Sequence, residues 1–307
     1  MKRLQRSIPV LKTMFIVNLI GLGVFLLQGT YELGYAESFR FVFMTDIHLQ
    51  PERGADEAFE QAITTVNNLR PDFVVTGGDL VMDTLEQTFK RSVELFDLYA
   101  KRCEQFDMPV YNAIGNHDVF GLYEKGVIDT DHPEYGKKMF KKRVADRTYR
   151  SFDHEGWHFI LLDSIGITDD RRYIGRIDAD QIRWIENDLK DIDKSTPIAI
   201  ITHIPFVSIT SQLRSGATAS MPPHSGVVNS HQVLALFKGY NLRLVLQGHL
   251  HIVEESIIGG IHFITGGAVS GKWWEGPFHG FPEGFLLIEV DDDDFSWKFQ
   301  TYRKDPS

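Results

Sequence analysis

Five short apolar runs, spread over about two-thirds of the chain, each end in a similar polar sequence, and no other feature constrains the fold as strongly. Residues 39–45 lead into Asp46-Ile47-His48, residues 72–76 into Gly77-Gly78-Asp79, and residues 108–114 into Gly115-Asn116-His117-Asp118. Residues 198–202 lead into His203, and residues 242–247 into Gly248-His249-Leu250-His251. Between the runs lie stretches with apolar residues at helical spacing: Ala58, Ala62, Val66 and Leu69 in 54–69, Phe89, Val93, Leu95 and Leu98 in 84–104, Ile182, Ile185 and Leu189 in 178–192, and a shorter stretch at 229–237. Strands alternating with helices predict an α/β sheet with crossover connections. Residues 121–150 read as an insertion with a short helix. Further strands near 148–153, 157–163, 251–258, 261–265, 285–290 and 296–302 turn the second half towards a β-meander. In an open α/β sheet ligands bind beyond the carboxyl ends of the strands, so the five run ends converge on one edge.

The chemistry gathered there is that of a metal site. Asp46, Asp79 and Asn116 offer oxygen, and His48, His203, His249 and His251 offer imidazole nitrogen. The single cysteine, Cys103, leaves no cysteine-built metal site and no intramolecular disulfide. Such a donor set suits Mn, Fe or Zn, and in part Mg. Asp46 with His48, and His249 with His251, stand two apart, a spacing that turns both side chains the same way in extended backbone. Glycines before Asp79, Asn116 and His249 allow close backbone approach. Seven ligands exceed one tetrahedral ion and suit two ions about 3.5–4 Å apart sharing a carboxylate. Two divalent ions outweigh two carboxylates and a bridging hydroxide, leaving a locally positive pocket for an anion such as a phosphate ester. Each motif alone is a turn or a cap more often than a ligand. It is their joint recurrence at strand ends that carries the signal. The net charge of −10 argues against long nucleic acid as a partner.

In these motifs the chain resembles the calcineurin-like metallophosphoesterases, whose ordered pattern is D-x-H, G-D, G-N-H-[DE], H, G-H-x-H. The resemblance spans residues 46–251 and fills every ligand position. It implies a four-layer αββα sandwich of two mixed β-sheets flanked by helices. It implies one ion on Asp46, His48, Asp79 and His251, and a second on Asp79, Asn116, His203 and His249, with Asp79 bridging. His117 would contact the phosphate and protonate the leaving oxygen, with Asp83 orienting it. In-line attack by metal-bound hydroxide would then hydrolyse a small phosphodiester or phosphomonoester. A nuclease or a lipid-linked diphosphate hydrolase on the same site is the rival enzyme reading, and a metal-stabilised binding or scaffold protein the non-enzyme one. The Ser/Thr phosphatase continuation G-D-x-x-D-R-G is absent, since Asp79 is followed by Leu80-Val81-Met82-Asp83-Thr84. The metal-ligating tyrosine of purple acid phosphatases is also missing. Motif spacing is nearest the cyclic-nucleotide phosphodiesterase type, and residues 266–282 are similar to a Gly/Trp-rich segment of exported bacterial members.

The first 36 residues read differently. Lys2, Arg3, Arg6 and Lys12 precede an uncharged run at 14–27, and Gly34-Tyr35-Ala36 supplies a small-residue exit. That is the layout of a signal peptide for export to the periplasm or outside, with a membrane anchor as the rival. Residues 37–307 then form one catalytic domain. Other notable residues receive quieter readings. His154, His158, His231 and His262 belong to core or surface, His224 and His279 to surface loops, and Asp291–Asp294 to a hairpin turn. The basic residues of 137–143 form a solvated helix face or a lid for anions. Trp273 and Trp274 are divided evenly between substrate wall and local packing.

Overall fold

The computed structural model describes residues 38–303. The signal-peptide or anchor segment lies outside the described residues, and among those no helix is long and apolar enough to cross a membrane.

Strand β1 (Ser38–Met44), helix α1 (Ala55–Leu69), β2 (Phe73–Thr76), α2 (Phe89–Cys103) and β3 (Val110–Asn112) form the alternating first half. β1, β2 and β3 run parallel, and β12 (Gly284–Asp291) and β13 (Asp294–Thr301) return from the far end of the chain to complete a five-stranded sheet, β13-β12-β1-β2-β3. The second sheet has six strands, ordered β10-β11-β9-β8-β5-β4. These are β4 (Arg150–His154), β5 (Trp157–Leu161), β8 (Pro197–Thr202), β9 (Asn241–Gln247), β10 (Val253–Ile258) and β11 (Ile261–Gly266). The expected meander is corrected here. Only the outer pairs are antiparallel hairpins, while β5, β8 and β9 run parallel because α4 (Ala179–Asp188) and α5 (Ser230–Leu236) cross over between them, and β11 lies parallel to β9 because β10, between the two in sequence, carries the chain back.

Period-two alternation builds the layers. Phe39, Phe41 and Phe43 of β1 face Phe159, Leu161, Ile201 and Leu246 of the other sheet in an aromatic-rich layer. There Phe41 stacks on Phe73 at 5.0 Å and meets Phe159 edge-on at 5.4 Å. Val42 and Met44, on the opposite face of β1, join the cluster that includes Phe59 of α1 and Phe96 of α2. The result is two mixed sheets packed face to face with helices outside.

Three local expectations change. Helix α2 starts at Phe89 and not near residue 84, because Thr88 caps it by accepting from Arg91 N–H (3.2 Å) and Thr84 is drawn off to donate to the His117 carbonyl (2.7 Å). The basic cluster is solvated at Lys138, Lys141 and Lys142, but it is also tied down by ion pairs. Lys137 donates to Asp163 (2.7 Å), and Lys142 and Arg143 hold the buried Glu134 (2.6 and 2.9 Å), so α3 (Lys138–Arg143) is stapled down by ion pairs. A small hairpin, β6 (Ile165–Ile167) with β7 (Tyr173–Gly175), was too short to register as strands in the pattern.

Candidate metal centre

Strand register aligns the ends of the two sheets. Met44 pairs with Thr76 and Thr76 with Asn112, while Thr202 pairs with Gln247, so the loops that follow leave at matching levels. They then lock across the gap. His203 Nδ1 donates to the Gly77 carbonyl (2.7 Å), and His249 N–H donates to the Asp46 carboxylate (2.9 Å). Two glycines make this possible by close approach. A Cβ on Gly115 would sit 2.1 Å from the Asp79 nitrogen, and one on Gly248 would sit 2.1 Å from Thr45 Oγ1.

The structure gathers six of the expected ligands and His117 into three overlapping groups: Asp46, His48 and His251; His48, Asp79 and His117; Asp79, His203 and His249. Within each group the candidate ligand atoms lie within 4.8 Å of one another. The seventh, Asn116, turns Oδ1 to within 3.0 Å of His203 Nε2. Asp79 Oδ2 lies 3.3 Å from His203 Nε2 and 3.6 Å from His48 Nε2, between the two outer groups. Its other oxygen accepts from His117 N–H (2.8 Å). Asp46, His48, Asp79, Asn116, His203 and His251 are buried, whereas His249 and His117 are partly open to solvent.

The reason the paired residues converge is not the expected one. Asp46, His48, His249 and His251 are not in extended backbone. All four, with Asp79, have φ between 47° and 71°, the left-handed region. Each such residue costs roughly 1–3 kcal/mol, a strain that typically persists only where the surroundings over-determine it. Here those surroundings are the cross-sheet hydrogen bonds.

The side chains fit divalent cations. His203 Nδ1 and His251 Nδ1 each donate to a backbone carbonyl, Gly77 and Gly271 (2.7 and 2.6 Å), which fixes the tautomer and leaves each Nε2 turned inward. Ring nitrogens then face each other at 3.0 Å (His48 Nε2 to His251 Nε2) and 3.2 Å (His203 Nε2 to His249 Nδ1), a crowding of potential ligand atoms suited to a shared cation. Electrostatics agrees. Burial opposes charge on Asp46, but His251 outweighs it and holds the carboxyl down at about 2. Burial likewise opposes charge on His203, but Asp79 raises it to about 9. Burial and the neighbouring His203 push His249 down to about 3, and burial with His117 drives His48 well below the usual imidazole range. The carboxylates thus favour the charged form of His203, while His249 and His48 are held neutral. Metal ions entering such a set would displace the His203 proton.

Around this core stand residues of other kinds. His117 Nδ1 is 3.8 Å from Asp83 Oδ1, an ion-pair approach too long for a hydrogen bond, and Asp83 accepts instead from Leu85 N–H (2.8 Å). Asp118, which the motif contains but to which the sequence assigned no role, is fully buried. It accepts from the backbone N–H groups of Leu80 (2.9 Å) and Gly115 (2.8 Å), stapling the Asp79 and Asn116 loops together. Two flanking surfaces also escaped sequence reasoning. Tyr173 of the small hairpin brings its ring 6.2 Å from His249 and 6.5 Å from Tyr123, whose ring lies under Arg172 at 5.5 Å, beside a cavity of about 300 Å³. Phe278 sits 5.6 Å from His251. Only the unbroken Gly/Trp-rich composition of 266–282 could have hinted at it. His262 pairs with Glu255 (2.8 Å) on the outer part of the second sheet, and His158 sits between Asp153 and Asp188 (2.6 and 2.9 Å), neither near the centre.

The family model described as calcineurin-like phosphoesterase matches residues 39–253. No curated protein matches the chain in sequence. Among solved structures, a dimetal phosphatase from Danio rerio is 16% identical, with a TM-score of 0.61 over 87% of this chain and 97% of that one. Purple acid phosphatase PPD1 from yellow lupin (Lupinus luteus) seeds is 14% identical, with a TM-score of 0.55 over 88% of this chain and 52% of that one. GAP50, the anchor in the inner membrane complex of Plasmodium, is 15% identical with a TM-score of 0.55 over 87% of this chain and 85% of that one. At these identities the likeness is one of fold. Since one neighbour is described as an anchor, the fold alone does not decide catalysis, and the side chains must.

Proposed function

Since the chain belongs to the calcineurin-like phosphoesterase family, we propose that it is a dinuclear-metal phosphoesterase acting on a small phosphodiester or phosphomonoester. The observation that carries this reading is Asp79 Oδ2, set between two imidazole-bearing groups within 3.6 Å of both His48 and His203. Asp46, His48, Asp79 and His251 would hold one ion, and Asp79, Asn116, His203 and His249 the other, of Mn, Fe, Zn or Mg type. When bound, the ions would acidify a water and offset the charge that builds on the phosphoryl oxygens.

The chain's own groups supply the rest. The backbone-locked His203 and His251 hold fixed orientations, so the centre is organised before substrate arrives. His117 is a partly exposed member of the cluster to which neither ion is assigned, with Nε2 4.0 Å from Asp79 Oδ2. From there it can deliver a proton to the leaving oxygen, as general acid. Asp83 acts on it as a nearby charge. The basic start and apolar run of the first residues support export, periplasmic or secreted.

The test is hydrolysis of bis(p-nitrophenyl) phosphate and p-nitrophenyl phosphate, with Mn added or with chelator. Metal-dependent turnover of at least one is expected. Two bound ions by elemental analysis with no turnover of either would sink the catalytic reading in favour of a scaffold.

A further inference from the structure

We infer that Trp273 and Phe278 form a stacking wall that selects phosphate esters carrying a flat aromatic substituent, an aryl group or a nucleobase. This rests on the phosphoesterase reading of the same centre and adds a substrate class to it.

The observation is a division of labour between adjacent tryptophans. Both lie in the left-handed region, at φ 47° and 70°, within the segment joining β11 to β12. Trp274 is buried, donates its indole N–H to the His48 carbonyl (2.9 Å) and packs under the Arg303 guanidinium at 5.8 Å. It is a packing residue that pins the loop after β1. Trp273 is half-buried, and its indole N–H makes no hydrogen bond among the described residues. Its backbone is held fast, since Arg53 donates to its carbonyl (3.0 Å) and pairs with Glu275 (3.2 Å), while its ring is left beside the centre, 4.9 Å from His251 and 6.1 Å from His48. Phe278 meets it at 5.7 Å and 73°, making an aromatic corner with one face and one edge.

The chemistry of the corner narrows its occupant. Glu275 pairs with both Arg53 (3.2 Å) and Lys272 (3.5 Å), so the charge flanking the wall is one cation in excess and offers nothing to a positively charged substituent. A cationic head group would be drawn to aromatic faces but repelled by two divalent ions next to them. A long lipid chain would require a longer apolar surface than two side chains. A neutral planar ring satisfies both the face of one aromatic and the edge of the other.

The test measures binding of phenylphosphonate, cyclohexylphosphonate and inorganic phosphate to the metal-loaded protein by calorimetry. Wild type should bind the phenyl compound tighter than the cyclohexyl one. Trp273→Ala should weaken phenylphosphonate by roughly fivefold or more, the range for loss of one stacking partner, erase its advantage over cyclohexylphosphonate, and leave phosphate within about twofold. Trp273→Phe should restore most of the preference, and Phe278→Ala should lower it. Equal weakening of all three ligands by Trp273→Ala, or no weakening, overturns the inference and makes Trp273 a packing residue. Failure of wild type to bind phosphate or hydrolyse either nitrophenyl ester overturns the phosphoesterase reading, and this one with it.

Discussion

The carboxyl edge of the five-stranded sheet brings Asp46, Asp79 and Asn116 to the centre together with His48, while the edge of the six-stranded sheet brings imidazoles alone: His203, His249 and His251. Neither edge is self-sufficient. The aspartates without the second sheet's histidines would be two buried carboxylates with only His48 and His117 to offset their desolvation, and those histidines without the aspartates would have no reason to hold a proton. The raised His203 and the lowered Asp46 record this dependence, each displaced by a group from the other sheet or its loops. The lesson is that the aromatic layer between the sheets does more than bury area. It fixes the spacing at which two incomplete half-sites become one whole.

Substitutions can break the halves apart. Asp79→Ala should have the largest effect, because Asp79 serves both groups. Elemental analysis should find both ions lost, with a fall in activity well beyond the roughly 10–100-fold typical of a residue that only orients a ligand. His203→Ala removes one imidazole from one group, so metal content should drop by about one ion per chain while Asp46, His48 and His251 keep theirs. Loss of both ions would mean that the halves do not fill independently. His117→Ala should leave metal content unchanged and lower turnover by roughly 10²–10⁴-fold, most for poor leaving groups; loss of metal would make His117 a ligand. Asp118→Asn turns an amide towards two backbone donors, and thermal unfolding should show a loss of about 1–3 kcal/mol.

The smallest effect lies away from the centre. Burial opposes charge on His158, but Asp188 and Asp153 outweigh it and raise its pKa above the ordinary 6.5. The charged form is therefore favoured by folding. That contribution is fully present below about pH 6.5 and is lost as pH rises through the raised value. Urea midpoints measured across this window should fall with pH, and His158→Gln should flatten that part of the profile.

The fold and the cluster were legible for a physical reason: buried parallel strands read as apolar runs, and polar residues at their ends have few places to go but the ligand edge. What lay beyond local pattern was not legible. The convergence of Asp46 with His48 depends on left-handed backbone that spacing cannot reveal. Asp118 acts through main-chain donors 38 residues away, at Leu80. Tyr173 reaches the centre from the small hairpin and Phe278 from a separate loop, and Lys137 and Arg143 read as solvated only because Asp163 and Glu134 are remote or unremarkable in sequence. The two tryptophans were indistinguishable as letters and differ only in which way each ring turns.

The partners that orient His203 and His251 are the carbonyls of Gly77 and Gly271, which belong to the main chain. A carboxylate doing the same job could be erased by one nucleotide change, whereas a peptide oxygen survives every substitution that leaves the loop in place. Genetic drift can therefore rewrite the side chains around this centre while the aim of those two rings endures, and descendants with altered specificity should inherit the same poise.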